Sequence, residues 1–230
     1  LSEIWDGLVK AFQLICTFDT TVMSIAGKSL WISAASCLIA TAICVPLGSV
    51  IHFNNFKGKR LLISTVQTLW SMPTVAVGLL VFLLVSHSGP LGILELIFKP
   101  GAIIFGQVIL ISPLILGLVI SALNGVDKLI PETAVSLGAS RLQKAILTIR
   151  EARYAIVAAL IMGFGRAISE VGLSIMVGGN IARYTRTIPT AIALETQRGN
   201  IELSIALGII LILIALVINI SLHMLQRKRV

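Results

Sequence analysis

The chain has 230 residues, of which 57% are hydrophobic and 12% charged, and its mean hydropathy is +1.00. A soluble domain carries about 25% charged residues, so this composition excludes an ordinary water-soluble globule and fits a lipid-solvated chain. The net charge of +8 would point to nucleic acid in a soluble protein, but here the basic residues sit in short loops between apolar blocks, where they read as topology signals.

In chain order, residues 2–18 are too mixed to span a bilayer. Trp5, Leu8, Phe12 and Ile15 recur at helical spacing and predict an amphipathic helix lying on the membrane or packed on the bundle. A hydrocarbon core of about 30 Å needs roughly 20 apolar residues in a helix. Five segments meet that length: 29–52, 61–86, 101–123, 152–178 and 201–225. The first apolar stretch is too long and starts too late for a cleavable signal, and no small-residue cleavage site follows it. Pro46, Pro73 and Pro113 fall inside spans one to three and predict bends. Span four instead carries Gly163, Gly165, Ser169, Gly172, Ser174 and Gly178, which allow close helix approach in the interior or at a dimer interface. Cys37 and Cys44 lie seven apart on one helix face and read, with Cys16, as small packing residues.

Orientation follows from Lys and Arg. Lys57, Lys59 and Arg60 follow span one; Lys128, Arg141, Lys144, Arg150 and Arg153 follow span three; Arg227, Lys228 and Arg229 close the chain. They outnumber Lys10, Lys28, Lys99, Arg183, Arg186 and Arg198 on the other side, which predicts an external N-terminus and a cytoplasmic C-terminus.

The cytoplasmic stretch 127–153, DKLIPETAVSLGASRLQKAILTIREAR, is too polar to span and too regular for an unstructured loop. Pro131 suits a first helical turn, Glu132 the positive end of the dipole, and Gly138 the turn that closes the helix. Ser140 with Gln143 makes a capping box for a second helix, on which Leu142, Ile146 and Ile149 share a face. The pattern predicts helix–turn–helix, either a surface offered to a cytosolic partner or a plain connector between spans three and four.

Glu132-Thr133-Ala134 followed by Gly138 resembles the EAA motif of ABC-importer permeases. That resemblance implies a type I importer permease fold, all-α with about five transmembrane helices, and a coupling helix in which Glu132, Thr133, Ala134, Gly138, Ala139, Ser140 and Arg141 engage an ATPase subunit. Thr133 stands where the family has Ala, and Thr148-Ile149-Arg150-Glu151 stands where it has Ile-x-Leu-Pro, so a motif proline is missing. From Glu132 onward the chain is similar to tungstate-type permeases, relatives of the molybdate and sulfate permeases. The resemblance is carried by Ile149-Arg150-Glu151-Ala152-Arg153-Tyr154, Gly163-Phe164-Gly165-Arg166-Ala167-Ile168-Ser169-Glu170-Val171-Gly172, Met176-Val177-Gly178-Gly179-Asn180-Ile181, Tyr184-Thr185-Arg186-Thr187 and Thr190-Ala191-Ile192-Ala193-Leu194-Glu195-Thr196. It implies a homodimer of this chain in the lipid bilayer of a prokaryotic inner membrane. Two ATPase subunits would hold ATP and Mg, and an external binding protein would deliver the oxyanion. Residues 1–28 then form an external or interfacial helix, 29–225 the permease domain with its coupling loop at 127–151, and 226–230 a cytoplasmic tail.

Arg166 and Glu170 sit inside span four, at a spacing that lets them meet on one helix face. They read either as the lining of an anion path, with Glu170 limiting the field of Arg166, or as a buried structural pair. In the external loop Asn180, Arg183, Arg186 and Thr187 read as a docking site for a binding protein, as an attractor of anions, or as an ordinary hydrated turn. Gly27-Lys28-Ser29 resembles the end of a P-loop, but Val22 stands where its first glycine belongs, so no cofactor is expected on this chain. His52, His87 and His223 show no metal-ligand spacing. Substrate remains open between tungstate, molybdate and sulfate, and a secondary transporter working without ATP is the rival mechanism.

Overall fold

The computed structural model describes residues 2–227. Among them the ordered elements are helices. Three are long and apolar enough to cross a membrane singly, and two further spans are each a bent helix pair. The short helix α1 (Ser2–Cys16) precedes α2 (Thr20–Phe53). α2 starts nine residues before the expected edge of span one, because the Asp19 carboxylate accepts from the N–H groups of Thr21 and Val22 at 3.0 and 2.9 Å and caps the helix there. At about 1.5 Å per residue its length exceeds the bilayer core, so one end stands clear of it.

Span two is broken. α3 (Lys59–Thr68) runs into a 3-10 turn at Leu69–Ser71, and α4 (Thr74–Val85) leaves at 99° to it. Pro73 sits at the corner as the residue before α4. Span three is the unbroken α5 (Pro100–Asn124), with Pro113 inside it. Span four is corrected in the same way as span two: α8 (Arg153–Ile168) and α9 (Gly172–Gly178) meet at 64°. The expected external loop holds a helix as well, α10 (Ile188–Gln197), before the last span α11 (Ile201–Arg227). The side chain of Arg227 and residues 228–230, the basic tail of the topology argument, lie outside the described residues.

α5 is the spine. On one side it packs with α2 and α8 through Cys37, Ala40, Cys44, Ile111, Ile115 and Ala159. On the other it packs with α4 and α9 through Val77, Val81, Ile103, Leu110, Leu173 and Val177. A third cluster joins the start of α2 to α10 and α11 through Val22, Ile25, Ile188, Leu207 and Ile210. With no hydrophobic drive between apolar helices in lipid, close contact supplies the stability, and small residues permit it. A Cβ on Gly78 would sit 2.9 Å from the Leu173 Cα, so α4 and α9 cross backbone to backbone. Gly163 and Gly178 likewise receive Ile115 and Ile103, while nothing lies near Gly165. Outward faces such as Leu38, Leu47, Leu80, Leu83, Leu216 and Val217 are exposed and suit lipid. α1 packs on α11, with Gly7 against Ile205, and its Trp5, Leu8 and Phe12 point away from the bundle. The side chain of Ile15 is outside the described residues.

Candidate functional site

The stretch 127–153 forms two helices, α6 (Leu129–Ser136) and α7 (Arg141–Glu151). α6 starts where the Asp127 carboxylate accepts from Leu129 N–H at 3.0 Å, with Pro131 and Glu132 in its first turn. It ends on Gly138 at φ +86°, where Ala139 N–H donates to Ala134 O and Gly138 N–H to Val135 O, both at 2.9 Å. This is a Schellman closure, and glycine occupies its left-handed position at no steric cost. The Ser140–Gln143 capping box then opens α7, at 2.8 and 3.3 Å. Thr133, in the place of a family alanine, turns its hydroxyl back to Leu129 O at 2.7 Å, so the substitution leaves the helix intact.

The faces of α7 differ from expectation. Ile149 leans on the α2–α5–α8 core, but Leu142 and Ile146 point outward, and Thr148 and Ala152 are the buried residues. Leu129, Val135 and Leu137 are exposed too, Leu137 at 84%. Within the chain, then, α6 and α7 offer an apolar strip beside the exposed Glu132 and Arg141. Both helices stand at the end of the bundle where His52 Nδ1 and Asn124 Oδ1 join α2 to α5 at 2.8 Å.

About 20 Å from the start of α8, the two broken spans meet: a Cβ on Gly172 would lie 3.0 Å from Val75 and 3.5 Å from the Thr74 hydroxyl. Backbone groups freed by a break inside the hydrocarbon region need partners, and side chains supply them. Ser169 Oγ reaches Gly165 O and Arg166 O, at 3.0 and 3.1 Å. Gln107, buried on α5, donates from Nε2 to Ala167 O at 3.0 Å, and its Oε1 lies 2.9 Å from Ser36 Oγ. Glu170 accepts from Leu173 N–H at 3.1 Å and so caps α9. Its second oxygen meets Arg166 Nη1 at 3.3 Å. The Glu170 side chain is 2% exposed and that of Arg166 34%, so the carboxylate belongs to the protein and the guanidinium borders open space. Across the other break, Trp70 Nε1 donates to Pro113 O at 2.9 Å, its ring seated where a Cβ on Gly117 would intrude at 2.5 Å.

At the opposite end, Asn180 and Arg183 take left-handed backbone, φ +48° and +60°, in the turn after α9. Asn180 Nδ2 donates to Thr190 O at 3.1 Å, and Arg186 reaches Asn180 O only at 3.5 Å. Thr187 opens α10 in a capping box with Thr190. The triplet Gly27-Lys28-Ser29 serves structure: Ser29 Oγ accepts from Ile188 N–H at 2.6 Å, and Lys28 Nζ donates to Arg183 O. Gln107, Trp70 and the helical nature of 188–197 escaped the sequence reading. Among the described residues no cluster of His, Cys, Asp and Glu could hold a metal ion.

Two broken spans thus meet beside a half-buried arginine, and a capped helical hairpin stands at one end of the bundle. The model of the family described as "Binding-protein-dependent transport system inner membrane component" matches residues 44–230, and the chain belongs to that family. It is 39% identical over 228 residues to the tungstate uptake system permease protein TupB of Peptoclostridium acidaminophilum, covering 99% of this chain and 100% of that one. A Haloferax volcanii protein described as a probable anion ABC transporter permease is 42% identical over 205 residues, covering 87% of this chain and 88% of its own. Among solved structures, a bacterial ABC transporter that imports the acidic polysaccharide alginate aligns with a TM-score of 0.73 at 20% identity, covering 94% of this chain and 83% of that one. That likeness speaks to the fold, which is the expected importer-permease arrangement. The chain is a permease subunit of an ABC importer; ATP hydrolysis belongs to a separate subunit.

Proposed function

We propose that this chain carries tungstate across the membrane. Two copies form the pore, two ATPase subunits that hold ATP and Mg dock on α6 and α7, and a binding protein delivers the anion at the far end. The N-terminus lies outside and the C-terminus in the cytoplasm. The observation that carries the reading is 39% identity, over nearly the whole chain, to a tungstate uptake permease, joined to a capped helical hairpin whose apolar strip is exposed among the described residues. Glu132, Thr133, Ala134, Gly138, Ala139, Ser140 and Arg141 form the coupling element. Closure of the ATPases displaces that hairpin, and α8, which follows α7 after the single residue Ala152, carries the displacement to the bend at Ser169–Val171. Arg166 faces the path there, with Glu170 holding it in place and reducing its positive field, so that an anion is attracted without being trapped. Each ligand must favour one of two states for such a device to work.

The test is co-expression with the ATPase subunit, followed by ATP hydrolysis in the presence of tungstate-loaded binding protein. A stable complex whose hydrolysis rises with the loaded protein supports the reading. A permease that transports while binding no ATPase would replace it with a secondary transporter. For the path, Arg166→Ala should slow uptake in a complex that still assembles.

A further inference from the structure

At the end of the bundle opposite α6 and α7, the turn after α9 folds back over the first two turns of α2. Its shape is set by many local bonds. Tyr184, Thr185 and Arg186 N–H groups converge on Ile181 O at 3.0–3.1 Å, and Thr185 Oγ1 accepts from Ile181 N–H at 2.9 Å. Three left-handed residues, Gly179, Asn180 and Arg183, turn the backbone tightly enough to bring the arginines back over α2. The result is a cleft of about 420 Å³ lined by Lys28, Arg183 and Arg186 together with the hydroxyl residues Thr20, Thr21 and Ser24.

Among the described residues no carboxylate lines this cleft. The nearest along the chain, Asp19, spends its Oδ1 on the N–H groups of Thr21 and Val22. Lys28 Nζ donates to Arg183 O, and the other two cations are short of acceptors. Arg183 is exposed, and among the described residues its side chain has no hydrogen-bond or ion-pair partner. Among the described residues Arg186 makes one long bond, 3.5 Å to Asn180 O, and its buried Nε–H has no acceptor. An unsatisfied buried donor is costly, and three like charges facing one space repel. A small multivalent anion resolves both conditions. A cleft lined by one sign of charge also raises the local concentration of the opposite ion.

We propose that this cleft is an oxyanion-receiving site, in which Lys28, Arg183 and Arg186 hold a tetrahedral dianion and the hydroxyls of Thr20, Thr21 and Ser24 complete its hydrogen bonds. The site stands apart from Arg166 and takes the anion before it enters the span region. It rests on the reading of the chain as an oxyanion permease with this end outside.

The experiment uses the permease–ATPase complex without binding protein. Ser24→Cys places a thiol in the cleft, and Cys16→Ser removes the exposed native one, since Cys37 and Cys44 are buried. Modification by a negatively charged thiol reagent is compared with its positively charged analogue, with tungstate or sulfate added at constant ionic strength. The anionic reagent should react roughly tenfold faster, and tungstate should slow it saturably. Arg183→Gln and Arg186→Gln should each weaken both effects. Arg183→Gln is the safer variant, because among the described residues that side chain has no bonding partner. Equal rates for the two reagents, equal protection by chloride, or protection unchanged in both variants would overturn the site. So would variants that lose binding-protein association while anion protection persists, which would make the patch a protein-docking surface. ATP-driven tungstate uptake by the same variants, reconstituted in vesicles with binding protein added outside, separates the two levels. Uptake without protection overturns the cleft alone, whereas protection without uptake overturns the transport reading and leaves the cleft standing.

Discussion

Glu170 performs two tasks at the α8–α9 break, and two substitutions separate them. Glu170→Gln keeps an oxygen for Leu173 N–H but loses the charge that faces Arg166; Glu170→Ala loses both. A helix cap of this kind contributes about 1 kcal/mol. An unpaired arginine at mid-membrane costs about 2.5–3.5 kcal/mol on insertion scales. The Arg166 side chain is 34% accessible, so less than that full cost applies, on the order of 1–2 kcal/mol. Glu170→Ala should therefore destabilise the protein by about 2–3 kcal/mol and Glu170→Gln by about 1–2 kcal/mol. For a chain of this length those figures correspond to roughly 4–12 °C and 2–8 °C in Tm. Adding Arg166→Leu to Glu170→Gln should recover most of the second loss, because contacting residues are not additive. The assay is thermal unfolding of the purified permease–ATPase complex in detergent. Equal losses for Gln and Ala would remove the cap from the account, and no recovery in the double variant would remove the ion pair.

Other substitutions probe the remaining contacts. Gln107→Leu strands the Ala167 carbonyl at the bend and should cost about 1–3 kcal/mol, read as a fall in Tm; a neutral result would mean that the carbonyl finds another partner. Gly117→Ala drives a methyl into the Trp70 ring and should cost about 1–3 kcal/mol, with a shift in tryptophan emission as the ring is displaced. Leu137→Asp, at a fully outward position, should leave permease stability unchanged while abolishing co-purification of the ATPase subunit. Gly138→Val strains the left-handed turn and should weaken both.

The spans were legible because twenty apolar residues in a row have few soluble explanations, and the helical hairpin because its caps are local: Pro131, Gly138, Ser140 and Gln143 act within a few residues of themselves. The breaks were less legible. Pro73 marked a bend, but a hydropathy window adds up apolar residues whichever way the axis turns, so 61–86 read as one bent span and not as two helices at 99°. The second break has no proline at all. Its sequence signal was Glu170 three residues before Leu173, a cap inside an apolar run, and that was read only as half of an ion pair. Gln107 escaped the sequence reading, since its purpose appears only when Ala167, sixty residues away, is brought beside it. α10 was hidden by the arginines around it, although Thr187 and Pro189 are good starting residues for a helix. Leu142, Ile146 and Ile149 were expected to share one face, but Ile149 alone of the three leans on the core, because periodicity finds a face and cannot say what covers it.

The central claim is that this chain moves an oxyanion only when ATPase subunits work on α6 and α7. The most direct measurement is tungstate accumulation in proteoliposomes containing the permease and the ATPase subunit, with binding protein on the outside and ATP within. Accumulation that requires ATP, requires the binding protein and stops with Leu137→Asp is the predicted result. Accumulation that continues without ATP, or continues in Leu137→Asp vesicles that hold no ATPase subunit, would contradict it.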